Sequence, residues 1–144
     1  MKKKQSFIAI ILAGGYGSRM GVLTKKKHKT MLKIGGYPIL AHLYTQLRIN
    51  LIKKIILCIG YKSEDIKLYK AKSIKKDSDE ILKLIKNFNK YDYPEIELSK
   101  LPPNYSTSQR IFKIRNKIKN NDFLLLYGDT LLKPKILISK KFLN

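Results

Sequence analysis

The order of apolar and polar positions divides the chain into short, wholly apolar runs and longer stretches with helical spacing. Residues 7–12 are continuously apolar, which predicts a buried strand, and the run stops at Ala13, Gly14, Gly15, Tyr16, Gly17, Ser18, Arg19, Met20 and Gly21. Ile39, Leu40, Leu43, Leu47 and Leu51 then recur at helical spacing, predicting a helix over 38–51 with Pro38 in its first turn. A second strand is expected at 54–59, closed by Gly60. Ser63 as a cap, with Glu64 and Asp65 in the first turn, predicts the next helix start. Residues 71–76 are polar and lysine-rich and read as that helix's end and a surface connection. A new helix is expected from 77–79 onward, with Ile81, Leu82, Leu84, Ile85 and Phe88 as its apolar positions. A short strand fits 96–98, and Pro102 and Pro103 force a loop after it. The helix that follows is capped within 104–110 and turns Ile111, Phe112, Ile114 and Ile118 inward, and 123–127 is a third buried strand ending at Gly128 and Asp129. Pro134 stops any continuation, and 136–138 offers the start of another element.

A strand, a crossover helix and a second strand imply a parallel pair in a right-handed unit. The whole pattern is that of an α/β domain spanning 1–144, with no internal repeat and no interdomain linker. In open parallel sheets ligands bind beyond the carboxyl ends of the strands, where both the glycine-rich loop and Asp129 fall. A strand feeding glycines suits a phosphate: residues without Cβ let successive backbone N–H groups turn toward a polyanion. Arg19 adds a planar donor fork, and Lys29 a second cation ten residues on. Each has a plainer alternative, since Arg19 and Lys29 fit solvated cations and Asp129 fits a turn residue after a strand.

Composition changes this picture in two ways. A chain of 144 residues with 44% hydrophobic residues is long and apolar enough for one folded core, which excludes a disordered polyelectrolyte. Lys+Arg number 31 against 10 Asp+Glu, and the net charge of +21 favours phosphorylated metabolites, anionic lipid or nucleic acid as partners. The lysines are spread along the chain rather than gathered into a patch, so polyanion binding is expected to be nonspecific. The single cysteine, Cys58, sits in an apolar strand, which excludes an internal disulfide and points to a reducing compartment. Neither histidine has metal-ligand spacing; His42 is expected to pack on its helix and His28 to sit among lysines within reach of phosphate. Lys2, Lys3 and Lys4 before the first apolar run imitate a secretory leader, but no Ala-x-Ala site follows and cleavage would remove the leading strand. A cytoplasmic protein without a membrane span is therefore expected.

The run Leu12-Ala13-Gly14-Gly15-Tyr16-Gly17-Ser18-Arg19-Met20, then Lys29, then Ile34-Gly35-Gly36-Tyr37-Pro38-Ile39-Leu40, resembles the opening of the nucleotidyltransferases that activate sugar-1-phosphates, glucose-1-phosphate cytidylyltransferase-like members above all. Cys58-Ile59-Gly60-Tyr61-Lys62 with Ile66-Lys67-Leu68-Tyr69 is similar to the family's second strand and helix, and Tyr127-Gly128-Asp129-Thr130-Leu131 to its metal-binding signature. The resemblance implies a Rossmann-like nucleotidyltransferase fold, a three-layer, mainly parallel open sheet with helices on both faces, here the amino-terminal, nucleotide-binding portion and so incomplete at its C-terminus. It implies transfer of NMP from an NTP to a sugar-1-phosphate with release of pyrophosphate, in nucleotide-sugar and surface polysaccharide biosynthesis.

By the same resemblance Arg19 and Lys29 are the catalytic cations, and Leu12, Ala13, Gly14, Gly15, Gly17, Ser18 and Gly128 line the nucleotide. Thr107, Gln109 and Arg110 match a segment that meets the nucleotide, while the residues alone favour a plain N-cap at Ser106 or Thr107. Asp129 is the expected Mg²⁺ ligand. This chain departs from the family in having Thr30 where Lys29 is normally followed by proline, and Ser108 and Gln109 where glycines are usual. A truncated nucleotide-binding half with little turnover, and a basic nucleic-acid binder, are the alternative readings, and a homo-oligomer is compatible with all of them.

Overall fold

The computed structural model describes residues 7–16 and 21–131. Among them, strands β1 (Ile8–Ala13), β4 (Lys54–Ile59), β5 (Glu95–Lys100) and β6 (Phe123–Tyr127) form one sheet. Its order is β5-β4-β1-β6 and every pairing is parallel. β2 (Lys33–Ile34) and β3 (Tyr37–Pro38) make a separate small antiparallel ribbon. The helices are α1 (Leu23–Lys26), α2 (Ile39–Ile49), α3 (Ser63–Lys72), α4 (Ile74–Leu84), α5 (Thr107–Lys113) and α6 (Arg115–Ile118).

β1 is central and buried along its whole length because its side chains alternate between two cores. Ala9, Ile11 and Ala13 pack with Leu40, Leu43 and Leu47 of α2, Ile66 of α3 and Ile74 of α4. Ile8, Ile10 and Leu12 pack on the other face with Ile56, Cys58 and Ile114. The result is the expected three-layer α/β sheet with helices on both faces. Each fully buried Ile or Leu contributes about 1.5–3 kcal/mol, so β1 anchors the fold. Cys58 is an inert part of this core, its thiol pushed up to about 11 by burial.

The elements differ from expectation at several points, each with a physical cause. Pro38 lies in β3 with extended ψ and precedes the helix, which starts at Ile39. Lys62, in the left-handed region at φ 51°, holds the N-cap position of α3 without a side-chain capping bond, so Ser63 is the first helical residue rather than the cap. The lysine-rich 71–76 is helical but for a break at Ser73, because Ile74, Ser78, Ile81 and Leu82 form the buried stripe that α4 lays against α2. Leu84, Ile85 and Phe88 are exposed, past the point where that stripe ends. β5 is longer than expected, and Phe112 is exposed, with the Arg115 guanidinium 3.9 Å over its ring, because the helix breaks at Ile114 and the apolar stripe does not continue. β6 is not buried throughout. It has one neighbour among the described strands, so only Leu126 is buried and Phe123, Leu125 and Tyr127 are exposed.

Candidate functional site

The parallel register brings the carboxyl ends of β1, β4 and β6 to one edge: Leu12 lies opposite Cys58 and Tyr127, and the next residues on each strand lead into Gly14, Gly60 and Gly128. Glycine is required at these exits for close approach. A Cβ on Gly60 would come within 2.6 Å of the Gly14 carbonyl oxygen and 2.7 Å of that of Leu101. A Cβ on Gly128 would come within 2.7 Å of the Thr30 methyl.

Gly14 is buried and held from below by Arg110, a residue only 3% exposed. The guanidinium donates to four backbone carbonyls: Gly14 (3.2 Å), Ile59 (3.2 Å), Pro102 (2.8 Å) and Tyr105 (3.3 Å). It fills the space a Gly14 Cβ would need, at 2.1 Å. Burial lowers the Arg110 pKa, and the carbonyl dipoles solvate the charge that remains. Gly15 turns outward, and the Tyr16 ring meets Tyr61 at 5.3 Å. Gly17, Ser18 and Arg19 lie outside the described residues.

Lys29 and Asp129, a hundred residues apart, meet at this edge: Nζ donates to Oδ2 at 3.2 Å, with side-chain exposures of 15% and 41%. Asp129 is placed by β6, since the Gly128 N–H donates to the Leu12 carbonyl at 2.9 Å. Lys29 is placed by a single 3-10 turn, Lys29–Met31, capped by His28. His28 is buried rather than facing phosphate, and its environment fixes its tautomer. Nδ1 accepts the Thr30 N–H at 3.1 Å, so the proton is on Nε2, which donates to the Ala13 carbonyl at 2.7 Å. The Thr30 hydroxyl lies 2.8 Å from Nδ1.

Leu12 and Ala13, expected at the nucleotide, are buried at the end of β1, and their carbonyls are engaged by Gly128 and His28. At α5, Ser106 is the N-cap and makes a reciprocal capping box with Gln109: Oγ accepts the Gln109 N–H at 3.2 Å, and Oε1 accepts the Ser106 N–H at 2.7 Å. Thr107 and Gln109 are exposed and Arg110 is buried one residue on. The plain N-cap reading therefore describes Ser106, while Arg110 supports the loop from beneath. His28 was expected within reach of phosphate and is instead turned inward, while Thr30 and Gly60 were not expected in the site.

Glycines without room for a side chain, a cation and a carboxylate thus stand together at the carboxyl edge of a parallel sheet, the edge at which open α/β proteins take their ligands. The nucleotidyl transferase family model matches residues 8–140, and the chain belongs to that family. It is 34% identical over 127 residues to the glucose-1-phosphate cytidylyltransferase of Salmonella typhimurium, covering 84% of this chain and 49% of that protein. A probable glucose-1-phosphate cytidylyltransferase of Bacillus subtilis is 33% identical over 129 residues, covering 85% and 50%. Among solved structures, an apo UDP-glucose pyrophosphorylase superposes with a TM-score of 0.72 at 19% identity, over 96% of this chain and 54% of that one, which shows the shared fold. The chain thus spans about half the length of these relatives, as a nucleotidyltransferase domain homologous to sugar-1-phosphate nucleotidyltransferases. No helix among the described residues is long and apolar enough to cross a membrane.

Proposed function

We propose that this chain is the nucleotide-binding part of a cytoplasmic enzyme that transfers NMP from an NTP to a sugar-1-phosphate, supplying nucleotide sugars for surface polysaccharide. The meeting of Lys29 and Asp129 beside the Gly14 loop carries this reading. In the reaction an oxygen of the sugar phosphate attacks the α-phosphorus, the new P–O bond forms, and the bond from the α-phosphorus to the bridging oxygen breaks to release pyrophosphate. Such a transfer needs alignment and charge neutralisation more than covalent help. Backbone N–H groups of the glycine loop would hold the triphosphate, Arg19 would offset charge on the leaving pyrophosphate, and Lys29 would meet the α-phosphate or the incoming phosphate. Asp129 fits Mg²⁺, which takes one or two carboxylates and completes its shell with phosphate oxygens and water; bound there, the ion would neutralise phosphate charge.

Calorimetric titration with Mg-NTP tests this. Binding is expected, and Arg19→Ala or Lys29→Ala should weaken it by about 1.5–3 kcal/mol, the range for charge-assisted hydrogen bonds. No binding of any common NTP, or affinity unchanged from the wild type in both variants, rejects the site. The alternative is a domain that binds nucleotide with little turnover. Pyrophosphate release decides between the two. Binding to nucleic acid should be independent of sequence and fall steeply with salt, as expected for dispersed charge; a tight preference for one sequence in a competition assay would contradict it.

A further inference from the structure

We propose that His28 and Thr30 are a positioning pair that aims Lys29 at the phosphate edge, a role that rests on the nucleotide-binding reading above. Thr30 cannot fix this turn by ring closure as a proline would. The fold fixes it by other means. His28 and Thr30 are 1% and 0% exposed, so their bonds to one another are shielded from water. The imidazole ties the Thr30 N–H to the Ala13 carbonyl, joining the turn to the last residue of β1. On its other side the Thr30 methyl sits against Gly128, the residue before Asp129, at a spot where a Cβ would not fit. Met31 N–H to His28 carbonyl (2.9 Å) and Leu32 N–H to Lys29 carbonyl (3.2 Å) complete the turn. Lys29 is thus carried between two residues that are each locked to a neighbouring strand exit. Its Nζ reaches Asp129 from that base.

A buried histidine that merely satisfied the core would affect stability and leave Lys29 indifferent. The distinguishing measurement is coupling. Mg-NTP affinity is measured for the full chain, for His28→Gln, for Lys29→Ala and for the double variant. His28→Gln is expected to weaken binding about fivefold to twentyfold, and the double variant to bind no worse than Lys29→Ala alone within about twofold, because the pair acts only through the lysine. The same cycle with Lys33→Ala in place of Lys29→Ala should be multiplicative. If His28→Gln multiplies the loss in the Lys29→Ala background, the pair is structural and the proposal is wrong.

A second measurement separates this outcome from failure of the nucleotide reading. Acetylation of Lys29 by acetic anhydride, read by mass spectrometry, needs no nucleotide. His28→Gln and Thr30→Val should each change the Lys29 rate severalfold and leave Lys33 unaltered, and unchanged Lys29 rates in both overturn the pair. Thr30→Val keeps the methyl against Gly128 and removes only the hydroxyl, so it remains informative if His28→Gln folds poorly.

Discussion

Arg110→Ala should destabilise the protein by about 3–5 kcal/mol, as measured by urea unfolding, because hydrogen bonds from a charged donor contribute roughly 1.5–3 kcal/mol each and stranded buried carbonyls cost more. The guanidinium serves the carbonyls of Gly14, Ile59, Pro102 and Tyr105, which lie at the end of β1, the end of β4 and the loop before α5. Desolvating the cation offsets part of that gain, which keeps the expected loss below the sum of the bonds. Arg110→Lys should recover little, since a single ammonium lacks the planar fork that reaches several carbonyls at once. A companion variant makes the test specific. Gly14→Ala places its Cβ 2.1 Å from the guanidinium carbon and should cost about 1–3 kcal/mol in the wild type. In the Arg110→Ala background that overlap is gone and the cost should largely vanish. A loss below about 1 kcal/mol for Arg110→Ala, or additive losses in the double variant, would show that the arginine does not hold the loop.

What the sequence disclosed follows from how far each signal reaches. β1 and β4 were legible because strands buried on both faces read as unbroken apolar runs, and the parallel sheet followed from the helix between them. The same kind of run misled at β6, because a strand's own residues do not reveal whether a neighbour covers it. Ile74 was hidden within 71–76, where lysines on the exposed face of α4 mask a single buried isoleucine. Gly14, Lys29 and Asp129 were legible as types in a pattern, and their meeting depended on register that no local window contains. Arg110 and His28 were the hardest to place. Among 31 basic residues a buried arginine has no local mark, and a histidine between lysines reads as surface. Only their tertiary partners, among them the carbonyls of Ala13 and Gly14 at the exit of β1 and of Ile59 at the exit of β4, show otherwise.

His28 also gives the fold a pH dependence of defined sign. Burial lowers its pKa from 6.5 to about 4, the bond to the Ala13 carbonyl opposes that shift, Lys29 adds to it and Asp65 counters it. The folded protein therefore keeps the imidazole neutral while the unfolded chain takes up a proton on passing below about pH 6.5. Stability rises with pH wherever the unfolded state binds more protons, so the contribution is complete above the unfolded value and is lost as pH falls toward the folded one. Between about pH 7.5 and about pH 4.5 the loss should be roughly 2–3 kcal/mol, since a tenfold difference in proton affinity between the folded and unfolded chain is worth about 1.4 kcal/mol. Two carboxylates add their own loss at the acidic end. Burial pushes Asp79 upward, but hydrogen bonds from Tyr93 and Arg48 outweigh it and hold the carboxyl low, and Lys117 and Lys54 do the same for Glu97. His28→Gln isolates the histidine: it cannot gain a proton, so its stability should fall about 2 kcal/mol less over the same interval even if it starts lower. Urea unfolding at the two pH values on both proteins measures this. Equal pH slopes for wild type and His28→Gln would mean that the imidazole is not held neutral between Ala13 and Thr30.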